Sequence, residues 1–92
     1  MKKINAVHVS DADTCVTLTG AADIGDTVYY TESGEEKTVV VRGSIPIWHK
    51  IAIKPIKKDA YVYKYGAVIG IALEDIDAGD YVHVHNIRSP GA

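Results

Sequence analysis

The chain has 92 residues, a formal net charge of −2 and one cysteine. That length holds one modest core and predicts a single domain over residues 1–92; the hydrophobic fraction of 47% is ordinary for a soluble globular protein. The charge argues against bulk attraction to nucleic acid, and a lone cysteine excludes an intrachain disulfide and fits a reducing cytoplasm.

In chain order, short apolar runs separated by turn residues predict strands over Ile4–Val9, Cys15–Thr19, Thr27–Thr31, Lys37–Arg42, Ile51–Lys54, Tyr61–Tyr63, Val68–Ile71 and Tyr81–Ile87. Ser33-Gly34-Glu35 reads as a hairpin turn. Asp11 and Asp13 read as capping or turning the chain between the first two strands. Cys15, inside an apolar run, reads as a buried inert thiol. No window keeps a 3.6-residue apolar period, and only Ala72–Ile76 has room for one helical turn. The class expected is all-β. Met1-Lys2-Lys3 opens no apolar run, so no signal peptide is expected there, and no run reaches the ~20 apolar residues of a spanning helix. The closing Ser89-Pro90-Gly91-Ala92 reads as a frayed end.

A weak repeat runs through the chain. Ile56-Lys57-Lys58-Asp59-Ala60-Tyr61-Val62 and Ile76-Asp77-Ala78-Gly79-Asp80-Tyr81-Val82 share Ile, Tyr and Val in register. Ile24-Gly25-Asp26-Thr27-Val28 is a shorter version. Each reads as a tight turn feeding a strand, with the Ile as anchor. Such corners predict a folded-over β unit rather than a flat sheet.

Polar groups suited to chemistry collect in three places. The first is Tyr81-Val82-His83-Val84-His85-Asn86. On a strand, Val82 and Val84 face a core while His83 and His85 share the other face. Two imidazoles so placed hold a metal or a carboxylate, or simply line a solvated face. The second is Trp48-His49-Lys50 after Ile45-Pro46, where two cationic donors sit at a strand entry or at a solvated rim. The third is Lys64-Tyr65-Gly66, either an anion site or a hairpin corner. Gly66-Ala67-Val68-Ile69-Gly70 reads as a strand with tight packing. Tyr61, Tyr63 and Tyr65 alternate and predict one aromatic stripe, suited to a partner subunit. His8, in Ala6-Val7-His8-Val9, reads as a structural or surface histidine.

Three segments resemble one family pattern in order and spacing. They are Ile45-Pro46-x-x-His49-Lys50-Ile51-Ala52-Ile53, Val62-x-Lys64-Tyr65-Gly66-x-x-Ile69-Gly70 and Ile76-x-Ala78-Gly79-Asp80-x-Val82-His83-Val84-His85-Asn86. The pattern is that of the SAF-type β-clip domain of altronate and galactarate dehydratases, which is similar also to the small subunit of sulfolactate sulfo-lyase. Asp13-Thr14-Cys15-Val16-Thr17-Leu18 resembles the family's Asp-Asn-Val-Ala-Val run. Two positions depart from the pattern: Ser10 stands where a histidine is common, with His8 two residues earlier, and Trp48 replaces a small glycine.

The resemblance implies a small β-clip fold and a carbon–oxygen lyase, a hydro-lyase of acidic sugars, in which this chain is a small cytoplasmic subunit inactive alone. A large catalytic subunit is the implied partner, and homo-oligomerisation is compatible; no nucleic acid or membrane is expected. Catalytic work falls to His83 and His85, as acid/base groups or toward metal, and substrate binding to His49, Lys50, Lys64, Tyr65 and Asn86. Enediolate chemistry is served by a divalent metal such as Fe2+, held mainly by the large subunit. Two other outcomes stay open: the sulfo-lyase small subunit, and a SAF-type module that binds a carbohydrate or protein and catalyses nothing.

Overall fold

The computed structural model describes residues 3–90. Among them there is no helix, and nine strands follow in order: β1 Lys3–Val7, β2 Cys15–Leu18, β3 Thr27–Glu32, β4 Glu35–Val40, β5 Lys50–Ala52, β6 Tyr61–Lys64, β7 Ala67–Ala72, β8 Tyr81–Val82 and β9 Ile87–Arg88. The fold is all-β, as expected. Six strands form one sheet in the order β4-β3-β1-β2-β5-β8, and three form a second in the order β6-β7-β9. Every named pairing is antiparallel except β1 with β3.

Strand alternation divides the core. In β2, Val16 and Leu18 join Ile4, Val28, Tyr30, Val41, Ile45 and Ile51 in one apolar cluster. Cys15, on the other side, joins Ala52, Ile56, Val62, Ala72, Ile76 and Val82 in a second. A period-two side-chain pattern buried on both faces accounts for a strand with no exposed residue.

Four corners of one design link these strands. At each, a residue with positive φ donates its N–H to a distant backbone carbonyl, and the next residue's carbonyl accepts from the N–H of that same distant residue. Gly25 and Asp26 do this with Val41, Trp48 and His49 with Leu18, Asp59 and Ala60 with Ala72, and Gly79 and Asp80 with Ala52. The anchor three residues before the positive-φ position pairs with another anchor: Ala22 with Ile45, and Ile56 with Ile76. The repeat seen in the sequence is therefore real. Its first copy is anchored by buried Ala22, because Ile24 is 73% exposed. A further copy, at Ile45–Lys50, carries neither Gly nor Asp at the turn and so has no turn signal in its sequence.

Several expectations need correction. Ala72–Ile76 forms no helical turn; Ala72 ends β7 and Ile76 bridges to Ile56. The strand expected over Tyr81–Ile87 is broken after Val82 and resumes only at Ile87. The tyrosine stripe is interrupted too. Tyr61 and Tyr63 meet edge-on at 6.4 Å, but a register shift follows Val62, and Tyr65 sits in the hairpin turn with φ 55°. Gly70 is tightly packed, as expected: a Cβ there would lie 3.0 Å from the Arg88 carbonyl oxygen. The Ser33-Gly34 turn joins β3 and β4 with both residues at positive φ, the geometry that suits the twist of paired strands. Ser89 and Pro90 are exposed, while the expected fraying at Gly91-Ala92 lies outside the described residues.

Candidate functional site

His49 and Lys50 enter β5 from the second corner, and Tyr81 enters β8 from the fourth. The two strands pair, Lys50 with Val82 and Ile51 with Tyr81, so the corners lie side by side at the margin of the large sheet. After Val82 the chain turns. The buried Asn86 side chain accepts a hydrogen bond from the His83 N–H at 2.9 Å and donates to the Tyr81 carbonyl at 2.7 Å. The Asn86 N–H closes back on the His83 carbonyl at 3.0 Å. Asn and Asp compete with a strand ladder in this way by offering the backbone a local partner. Val84, expected in the core, is 76% exposed at the apex of this turn.

The turn still brings the imidazoles together. The His49 and His83 rings lie 5.0 Å apart. Tyr81, which sequence reasoning took only as part of a strand, packs against both. Its hydroxyl is hydrogen-bonded to His49 Nδ1, its ring stacks on His83 at 5.5 Å, and it meets His85 at 5.4 Å. His85 is exposed, and His49, His83 and Tyr81 are half-buried, so the cluster opens to solvent. Burial holds the His83 imidazole below its ordinary pKa, helped by the electrostatic influence of His49, Lys50 and His85. His83 is thereby biased toward its neutral form.

Lys64 and Tyr65 occupy the β6–β7 hairpin tip, where the Lys64 ammonium lies 4.6 Å over the Tyr65 ring. The tip is tied to the β1–β2 loop by Asp13, which is 1% exposed. One of its carboxylate oxygens accepts the Gly66 N–H at 2.8 Å and the other the Ser10 N–H at 3.3 Å. Burial alone would raise the Asp13 pKa; the backbone donors, Gly66 and Ser10 foremost, outweigh it and hold the carboxyl below its ordinary value. Cys15 is buried and inert, as expected. Desolvation pushes its thiol up to about 12, against the opposing influence of Lys50 and Lys64. Lys50 thus acts electrostatically on both His83 and the Cys15 thiol.

The two departures from the family pattern are now placed. Ser10 packs against the hairpin tip, with its Cβ and Oγ 3.6 Å from where a Gly66 Cβ would stand. His8 points elsewhere, with Nδ1 donating to the Thr31 carbonyl at 2.8 Å and its ring against Tyr30. It does not stand in for a histidine at position 10. Trp48 adopts φ 68° and is 65% exposed beside His49.

The chain matches the model of the altronate/galactarate dehydratase SAF domain over residues 4–90. It belongs to that family. The altronate dehydratase of Escherichia coli (strain K12) is 44% identical over 70 residues, which are 75% of this chain and 14% of that protein. The (2R)-sulfolactate sulfo-lyase subunit alpha of Chromohalobacter salexigens is 32% identical over 85 residues, 90% of each chain. The same subunit of Paracoccus pantotrophus is 34% identical over 59 residues. The SAF chain thus spans a small part of a dehydratase and nearly all of a sulfo-lyase subunit.

No helix among the described residues is long and apolar enough to cross a membrane. No three His, Cys, Asp or Glu side chains among them gather closely enough to hold a metal ion. The imidazole cluster of this SAF domain does not itself fit the divalent metal that the resemblance implies.

Proposed function

We propose that this SAF chain is the small component of a two-component sugar-acid dehydratase, and that it completes the active-site rim of a large catalytic subunit. The observation that carries this reading is the open cluster of His49, Tyr81, His83 and His85, delivered by two family-pattern corners to one sheet margin. A reaction centre that abstracts a proton beside a carboxylate gains from excluding water. Imidazoles facing solvent meet that need when a second protein surface covers them. The sulfo-lyase alpha subunits, which match this chain over almost their whole length, support a separate small subunit.

In the dehydratase reaction a proton is lost beside the substrate carboxylate and the β-hydroxyl leaves as water, giving a 2-keto-3-deoxy acid. His83, biased toward its neutral form, suits the base, with His85 as its acid/base partner. His49 and Lys50 supply donors for the carboxylate and hydroxyls, with Lys64 and Tyr65 as further contacts from the hairpin tip. Asn86 serves by shaping the histidine turn. A divalent metal, where the reaction uses one, belongs to the large subunit.

A second reading, favoured by the length match, is the sulfo-lyase alpha subunit, which differs in its leaving group. Affinity capture of the tagged chain from its native lysate, with the eluate assayed on altronate, galactarate and sulfolactate, separates the two. A co-purifying large protein that forms 2-keto-3-deoxy acid supports the dehydratase, whereas sulfite release moves the chain to the sulfo-lyase. Recovery of an inactive chain alone points to a binding module. In the active complex, the double variant His83→Ala/His85→Ala is expected to fold and to lose at least ~100-fold in kcat; a fully active double variant sinks these site roles.

A further inference from the structure

Among the described residues, Tyr81 is the one side chain whose ring meets all three imidazoles of the cluster. The corner does not require a tyrosine there. The equivalent positions of the other three corners hold Thr27, Lys50 and Tyr61, and Tyr61 is exposed and meets Tyr63 instead. Tyr81 differs because its ring packs beside the Ile4–Ile53 core cluster while its backbone is pinned opposite Ile51. The hydroxyl is thereby held at His49 Nδ1. A phenol can donate or accept, and it is the better donor because its oxygen lone pair is delocalised into the ring; toward an imidazole nitrogen, donation is the stronger arrangement. A neutral imidazole that accepts at Nδ1 carries its own hydrogen on Nε2.

We propose that Tyr81 is a positioning residue: its hydroxyl fixes His49 in the tautomer with hydrogen on Nε2, and its ring face sets the plane of His83. His49 then enters the site as a hydrogen-bond donor at Nε2 rather than as a base. This consequence for catalysis rests on the lyase reading; the tautomer itself does not.

Long-range proton–nitrogen correlation spectra of the uniformly 15N-labelled, full-length chain, recorded above the imidazole titration range, read the tautomer directly. The expected result is a protonated Nε2 and a bare Nδ1 at His49. A hydrogen on Nδ1 in the unmodified chain overturns the proposal, whatever any variant does. Tyr81→Phe keeps the ring and removes the hydroxyl, and is expected to give a mixed tautomer at His49 with His83 shifts retained. Tyr81→Leu is expected to move the His83 ring shifts as well. A His49 tautomer unchanged in Tyr81→Phe overturns the role of the hydroxyl. In the reconstituted complex Tyr81→Phe is expected to lower kcat about tenfold with little change in KM; an unchanged kcat overturns the positioning role. A fixed Nε2–H tautomer in a chain without lyase activity upholds the assignment and overturns only the functional reading above.

Discussion

Trp48 is the residue whose backbone and side chain are most at odds. A bulky side chain at positive φ costs about 1–2 kcal/mol, and this one hides little of its indole from solvent. It persists because Leu18 grips the corner from both sides, accepting from the Trp48 N–H at 2.9 Å and donating to the His49 carbonyl at 2.9 Å. The other corners place Gly25, Asp59 and Gly79 at this point. Trp48→Gly is therefore expected to stabilise the isolated chain by about 1 kcal/mol in urea unfolding, and a loss of stability refutes the strain. The candidate site was only half legible at this scale. His49, Lys50, His83 and His85 stood out by residue type and spacing. Tyr81 did not, because a tyrosine on a strand reads as packing, and its meaning depends on His49, which is distant in sequence and adjacent only through the β5–β8 pairing.

At the scale of elements, the corners govern the architecture. Gly79 shows how tightly they are built: φ is 97°, and a Cβ would fall 2.2 Å from the Val40 carbonyl oxygen and 3.0 Å from Arg42 Cγ. Arg42 in turn pairs with Asp77 and Asp80, each at 3.2 Å, on either side of that glycine. Gly34, with φ 80°, has open space around its missing Cβ. Gly79→Ala is thus expected to cost ~3 kcal/mol or more, and Gly34→Ala ~1 kcal/mol, by chemical denaturation; equal costs contradict the steric account. Most strands were legible because their apolar residues alternate between turn signals. The break after Val82 was not, because Tyr-Val-His-Val-His keeps perfect strand alternation while the deciding interaction comes from the Asn86 side chain. The corner at Ile45–Lys50 was hidden for the opposite reason: Pro46-Ile47-Trp48 lacks the residues that announce a positive-φ turn.

For the whole molecule, two buried or nearly buried carboxylates set the response to acid. The backbone donors around Asp13 overcome its burial, and Glu32 is held low mainly by its hydrogen bond from Lys54 at 3.2 Å, with Lys37 adding to it. Both groups have lower pKa values folded than unfolded, where they lie near 3.8 and 4.5. Their contribution to stability is fully present above those unfolded values and is lost as pH falls through the folded ones. The urea midpoint is expected to drop as pH falls from about 5 to 3, and Asp13→Asn/Glu32→Gln to flatten that drop. An equally steep fall in the double variant assigns the acid response to other groups.

The histidine turn has one more consequence. By breaking the strand after Val82 it leaves the large sheet with an outer strand of only two residues, Tyr81 and Val82. So short a margin gives a stray chain almost nothing to zip onto, and truncated outer strands are one of the ways natural proteins resist edge-to-edge aggregation. The residues that lift the imidazoles out of the sheet therefore also guard its border. A variant that straightened this turn into a longer strand would scatter the imidazole cluster and lengthen the exposed margin in a single change.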